Sequence, residues 1–186
     1  MKAKFKLILY TGILLLFFSC SSNRDEQITT HEVIPSDTTS LPQSRIEINT
    51  LLDSFNIAAA NADFDTYFNF FSEDAVFMGT DATENWNKSQ YMEWSKPYFD
   101  KKETWNFKAL ERHVFFDKTG NLAWFDELLE TQMKICRGSG VLMKEDNRWK
   151  IKQYVLSMTI PNSEIDSVLK IKGKAEDQII AKLKSK

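Results

Sequence analysis

The sequence predicts an α+β domain: a curved antiparallel sheet capped by N-terminal helices and followed by one more helix. Three observations carry this. From about residue 44 to 99 the apolar residues are mostly spaced for helices. From Thr104 to Ile160 the chain reads as long strands joined by tight Gly, Asn and Asp turns. From Ser163 to Lys184 helical spacing returns. One layer of helices on one sheet buries the apolar face of both.

The elements follow in order. Ser44 with Glu47 three residues later fits a capping box. Ile48, Leu51, Leu52, Phe55, Ala58, Ala59 and Ala62 then fall on one helical face, giving a helix over about 44–62. Asp63 or Asp65 can cap a short second helix through Phe71. Asp74 to Gly79 reads as a short strand, and Thr80 to Asn87, which carries Trp86, as a loop. Tyr91, Trp94 and Tyr98 at i, i+3 and i+7 predict a third helix over 88–99, which Pro97 should end or kink. Four strands come next, turning at Asp117–Gly120 and at Glu145–Asn147 and stopping before Pro161. Gly138-Ser139-Gly140 lies inside a strand pattern and marks a bulge or bend.

Composition narrows the function. With 24 Lys and Arg against 26 Asp and Glu the formal net charge is −2. The chain therefore lacks the basic surplus of a nucleic-acid binder, and no nucleic-acid partner is expected. A hydrophobic content of 42% excludes a wholly disordered chain. Fourteen Phe, five Trp and five Tyr imply an aromatic-rich core or cavity. Two Cys cannot make a disulfide scaffold, and two His argue against a His-rich metal site. No GxSxG, P-loop, HExxH or CxxC occurs, nor a GxGxxG after a strand, and no cofactor is implied.

The N-terminus reads as an address. Met1 to Lys6 carries three Lys, and Leu7 to Phe18 is an apolar run broken only by Thr11 and Gly12. A run this short does not span a hydrocarbon core, which takes about 20 residues, so residues 1–19 read as a secretory signal. Ser19-Cys20 directly after the run resembles a bacterial lipobox. That resemblance implies a lipid on Cys20 as the first mature residue. It also implies a cell-envelope location, anchored to a membrane on the periplasmic side or at the outer-membrane surface. Loss of residues 1–19 removes three Lys and no acid, leaving a side-chain charge of −5. Cys136 is then the remaining thiol and reads as a structural core residue. Residues 20–41, polar, Ser/Thr-rich and holding Pro35, with Pro42 directly after, read as a disordered tether with His31 solvated. The domain itself is expected over 42–161, and the last helix over 162–186.

The order helix, helix, short strand, helix, long strands resembles the nuclear transport factor 2-like superfamily, and within it the SnoaL-like domains. Asp63 to Gly79 is similar to the family's stretch in which a helix leads into a strand entering a cavity. Trp149-Lys150-Ile151 through Ser157 resembles its closing strand, with Gly140-Val141-Leu142 before the turn. The resemblance covers about residues 44–160. It implies a cystatin-like cone with an apolar cavity between helices and sheet, and dimers that form through the sheet face. It does not imply one activity.

Alternation assigns faces to the last strand. Trp149, Ile151, Gln153, Val155 and Ser157 share one face, which ends in polar groups as a pocket floor would. Tyr154, Leu156, Met158 and Ile160 share the other. They form an apolar patch expected to hold a homodimer together, unless the C-terminal helix covers it. Met78, Trp86, Trp94, Tyr98 and Trp105 are candidates for the cavity mouth, although Tyr91, Trp94 and Tyr98 equally suit ordinary core. Arg137 either binds an anionic group or neutralises a neighbouring acid. Asp81 and Glu84 read as loop carboxylates beside Trp86.

Cavity enzymes of the resembled superfamily often use a carboxylate whose pKa an apolar site has raised. Asp126 (with Leu122, Trp124 and Leu128) and Glu127 (with Ala123, Phe125 and Leu129) are the candidates; parity leaves open which points inward. His113 is a candidate partner across the neighbouring strand. Three functions therefore stand at this point. They are a binder of a small apolar or amphipathic molecule, an isomerase, cyclase or lyase using these residues, and a protein-interaction module using the sheet face.

Overall fold

A computed structural model describes residues 40–185. The signal segment, Cys20, His31 and most of the expected tether lie outside the described residues. Helix α1 spans Ser40–Ala60. It starts within the expected tether, four residues before the Ser44–Glu47 motif. Pro42 falls in its first turn, where a missing N–H costs nothing. Ser44 is therefore an interior helix residue, buried, and accepts a hydrogen bond from Lys144 Nζ at 3.3 Å. The inward stripe is Ile48, Leu52, Phe55, Ala58 and Ala59. Ala62, with φ of 55°, turns the chain, and Asp63 Oδ1 accepts from the Thr66 amide at 3.1 Å to cap α2 (Phe64–Asn69).

Strand β1 (Phe71–Met78) begins three residues before its expected start. Asn85–Asn87, expected as loop, is the short edge strand β2. Helix α3 spans Lys88–Lys101 and runs through Pro97. Pro97 and Glu93 are both exposed, so the carbonyl that loses its partner faces water. Strands β3 (Lys108–Phe116), β4 (Leu122–Thr131), β5 (Lys134–Glu145) and β6 (Arg148–Met158) form an antiparallel meander. The β5–β6 turn places Asp146 and Asn147 at φ of 49° and 60°, the signature of a two-residue hairpin that matches strand twist.

The sheet order is β2-β1-β6-β5-β4-β3. It is mixed rather than wholly antiparallel, because β1 lies parallel to β6. The chain reaches that place by crossing from the β2 edge to the β3 edge through α3. A short helical turn (Asn162–Glu164) leads to α4 (Ile165–Lys184), none of whose residues is buried.

One irregularity in β6 decides the interior. Opposite β5, Val141 pairs with Gln153 but Leu142 pairs with Ile151. Lys152 is thus an extra residue, a bulge that reverses the alternation beyond it. Trp149 and Ile151 point inward as expected, but so do Tyr154 and Leu156, at 1% and 6% exposure. Gln153, Val155 and Ser157 are turned to the outer face. The expected pocket floor and the expected dimer patch therefore exchange places along half the strand. Of the patch, Met158 and Ile160 stay exposed, and α4 covers neither sheet face.

The glycines of β5 answer this reversal. A Cβ on Gly138 would lie 2.5 Å from Tyr154 Oη, and one on Gly140 would lie 2.2 Å from the Gln153 carbonyl oxygen and 2.8 Å from the Phe125 ring. Strand β5 is regular at Gly138–Gly140; the bulge expected there sits in β6, one strand over. Both glycines make room for the aromatic rings that β6 and β4 turn inward.

Candidate functional site

The interior between helices and sheet is aromatic. Asn87 caps α3 reciprocally with Gln90: its side chain accepts from the Gln90 amide at 2.9 Å, and Gln90 Oε1 accepts from the Asn87 amide at 3.0 Å. This fixes the direction in which the first turns of α3 project. Tyr91 points inward and stacks on Phe77 with ring centroids 3.9 Å apart. Trp86, placed by the pairing of β2 on Phe77, stacks on Trp94 at 4.7 Å. Tyr67 on α2 meets Tyr91, their hydroxyls 2.9 Å apart, and Trp105 lies 5.7 Å from Tyr67. Tyr154 of β6 is parallel to Phe77 at 5.7 Å.

These rings enclose a cavity of about 190 Å³. Phe55, Phe107, Met133 and Leu156 complete its apolar wall. Its polar lining is Thr80, Gln132 and Glu84, and the first two are exposed, so they mark its rim. Among the described residues Glu84 is the one charged residue in the lining, with no Lys, Arg or His there. Its Oε2 accepts from the Asp81 amide at 3.1 Å. A Cβ on Gly79 would lie 2.0 Å from that oxygen, so Gly79 lets the carboxylate fold over the end of β1. Glu84 forms no ion pair among the described residues. Burial pushes the Tyr67 phenol well above its usual range. Burial does the same to Tyr91, with Tyr67, Tyr154 and Glu84 adding to the effect. Burial favours the neutral form of both hydroxyls, one of which donates to the other.

Behind the Tyr154 ring sits a charged group outside the cavity. Glu127 is 1% exposed. Its Oε2 accepts from Arg112 Nε at 2.8 Å, and Arg112 Nη2 lies 2.8 Å from the same oxygen but out of line for a hydrogen bond. Its Oε1 accepts from Tyr154 Oη at 3.1 Å. Arg112 Nη1 donates to the Asn49 carbonyl and to Asp53 Oδ1, at 3.2 and 2.9 Å, tying β3 to α1. Burial raises the Glu127 carboxyl above the usual carboxylate range, opposed by Arg112 and by the Tyr154 hydroxyl.

Known proteins share the fold that carries these residues. A family model described as a SnoaL-like domain matches residues 48–161, more than half of the chain. The chain belongs to the SnoaL-like domain family. Solved structures share the fold at low identity. A nuclear transport factor 2-like protein of unknown function from Pseudomonas putida has a TM-score of 0.56 at 14% identity, over 68% of this chain and 92% of its own. A candidate aromatic ring hydroxylase from Novosphingobium aromaticivorans has 0.55 at 16%, over 64% and 92%. A protein of unknown function with a cystatin-like fold from Nostoc punctiforme has 0.50 at 12%, over 62% and 90%. No curated protein matches the sequence significantly.

Within this SnoaL-like domain the residues singled out from sequence separate into groups. Trp86, Trp94 and Trp105 line the cavity. Tyr98 lies against Trp94 with centroids 5.1 Å apart and planes tilted by 40°, and faces a shallow surface groove with Pro97 and Lys101. Met78 follows the inward Phe77 and so lies on the outer face, as do Gln153 and Ser157 beyond the bulge. Arg137 is exposed between the buried Cys136 and Gly138. His113 Nδ1 lies 3.1 Å from Asp126 Oδ1 and its Nε2 lies 3.2 Å from Glu111 Oε1, with His113 and Asp126 each about half exposed. That pair is on the outer face, on the far side of the sheet from the cavity. Glu127 is the inward acid of the two, and it is held by Arg112 and Tyr154. Sequence reading missed Phe55, Tyr67, Phe77, Phe107, Met133, Tyr154 and Leu156 as cavity residues. The signal for the last two was the bulge, which alternation cannot register.

The Glu127 group gives a pH-dependent prediction. Its raised carboxyl keeps its proton in the fold at pH values where the unfolded chain has released it. This contribution to stability is full below the unfolded pKa and fades as pH rises through the folded one. Arg112→Met leaves the buried anion uncompensated, so it is expected to cost about 3–5 kcal/mol at pH 7 and much less near pH 4. Urea unfolding of parent and variant at the two pH values measures the difference; a loss independent of pH contradicts the assignment.

Proposed function

We propose that this SnoaL-like domain binds one small apolar or amphipathic molecule in the aromatic cavity, and that a lipid on Cys20 holds it at the cell envelope. The observation that carries the binding reading is the cavity lining: nine aromatic side chains around about 190 Å³, with one carboxylate and no cation among the described residues. An apolar cavity of about 150 Å³ accepts a benzene-sized guest, so this one suits a single ring or a short branched chain. Thr80, Gln132 and Glu84 at the rim meet the polar end of an amphipathic guest. Ring faces and Glu84 present negative potential, which favours neutral or cationic guests over anions. The acid–base candidates support binding over catalysis, since Glu127 is engaged behind Tyr154 and His113–Asp126 lies across the sheet.

A second copy is proposed on the outer face of the sheet. There Phe115 and Trp124, each 44% exposed, stack at 5.9 Å, with Val141 and Met143 on the adjoining strand. This pair of exposed rings takes the place of the patch that alternation assigned to Tyr154 and Leu156.

Three measurements test these readings. Quenching of tryptophan fluorescence by benzyltrimethylammonium is expected, with affinity at least about tenfold above that for benzenesulfonate and at least about tenfold weaker in Trp86→Ala. Quenching by neither probe sinks the cavity reading. Cys20→Ala is expected to move the protein from the membrane fraction to the soluble fraction in a bacterial host; unchanged fractionation removes the anchor. Trp124→Lys is expected to raise the dissociation constant of the homodimer at least about tenfold by sedimentation, and an unchanged constant removes the sheet face as its interface.

A further inference from the structure

Among the described residues, helix α4 is a second surface on which nothing packs closely. Ile165, Leu169 and Leu183 are 43%, 54% and 58% exposed, and no residue of the helix is buried. Ile171 and Ile180, 83% and 45% exposed, lie off the line that these three residues share. Ile165, Leu169, Lys172, Glu176, Ile179 and Leu183 alternate in steps of four and three, the spacing of a seam between two helices. The ends of this seam are apolar, and its middle is a Lys and a Glu that bridge each other at 2.7 Å.

The order of these residues selects the partner. When two copies of α4 lie antiparallel about a two-fold axis level with Lys174, each seam residue meets its complement. Ile165 faces Leu183, Leu169 faces Ile179, and Lys172 faces Glu176, and each layer recurs on the other side of the axis. In a parallel pair Lys172 would face Lys172 and Glu176 would face Glu176, which sets like charges together. The small residues of the helix fall where an antiparallel pair comes closest. Gly173 flanks the seam on one side of the axis and Ala175 on the other, each next to its own counterpart. Among the described residues nothing requires that glycine: a Cβ there would meet nothing within 4 Å. In mid-helix it costs about 1 kcal/mol relative to alanine, a cost that close approach of a second helix explains.

We infer that α4 pairs antiparallel with α4 of a second copy of this chain, with apolar layers at both ends and two Lys172–Glu176 contacts at the centre. The helix is about 30 Å long at 1.5 Å per residue, so the seam extends along its whole length. The contact shares no residue with the outer sheet face or the cavity, so its variants leave both untouched.

Charge reversal on the full chain provides the test, with the dissociation constant between copies as readout. Lys172→Glu alone and Glu176→Lys alone are each expected to raise that constant about tenfold, because each sets like charges in both central contacts. An equimolar mixture of the two variants is expected to pair across species within about threefold of the parent, since each supplies the charge the other lacks. Loss of the Lys172–Glu176 bridge inside one helix cannot produce that rescue. Gly173→Leu is expected to weaken pairing while helix content by circular dichroism holds or rises. Single variants that pair like the parent, or a mixture that pairs no better than they do, overturn the inference. Unchanged pairing together with weaker binding of phosphatidylglycerol vesicles by Lys172→Glu would overturn it too and assign the face to a lipid surface.

Discussion

The extra residue at Lys152 is the constraint on which the interior rests. A strand of period two can present Trp149 and Ile151 inward, or Tyr154 and Leu156 inward, but not both. The bulge permits both sets, so one strand supplies the floor of the core at one end and a wall of the cavity at the other. Its neighbours are built to match. Gly138 and Gly140 on β5 leave the volume that the rings of Tyr154 and Phe125 fill. Phe77 on β1 lies parallel to the Tyr154 ring on its other side. A strand without the bulge would turn Gln153 and Ser157 into the aromatic interior, where each would need a partner that the rings do not provide.

Tyr154 also separates two kinds of chemistry. Its ring faces the cavity, and its hydroxyl donates to Glu127 away from it. The one fully buried carboxylate among the described residues is thereby satisfied on both oxygens by Tyr154 and Arg112, and Arg112 carries the connection on to α1. An ion pair of this kind adds little net stability compared with apolar packing, but neither partner can be lost cheaply. It fixes α1 over β3 and β4, and so keeps the helix layer in place above the sheet. The cavity, in contrast, carries its single charge at the rim, where water still reaches Glu84.

The remaining unpartnered surfaces lie on opposite sides of the molecule's economy. The outer sheet face holds the exposed Phe115–Trp124 stack beside a titratable pair, His113 and Asp126. Helix α4 holds an apolar seam interrupted by charge. Both faces present large apolar side chains to water among the described residues.

The sequence alone determined the fold class, because the change from helical to strand spacing is a local property of residues three, four or two apart. It determined α1 through Ile48, Leu52 and Phe55, α3 through Tyr91 and Trp94, and the four-strand meander through its turns. It also placed three cavity tryptophans near one another, since Trp86, Trp94 and Trp105 flank or occupy α3. Start points drifted where a residue has two uses, as Ser44 shows: a capping motif by spacing, yet a buried interior residue once Pro42 opens the helix earlier. The parallel pairing of β1 with β6 joins segments about 75 residues apart and leaves no mark on local spacing. Only the tertiary structure decided which way Asp126 and Glu127 face, where His113 sits, and that Tyr154 rather than Gln153 lines the cavity. Alternation is a relative pattern: one inserted residue reverses it, and the energy that favours the insertion comes from rings on β1, β4 and α1.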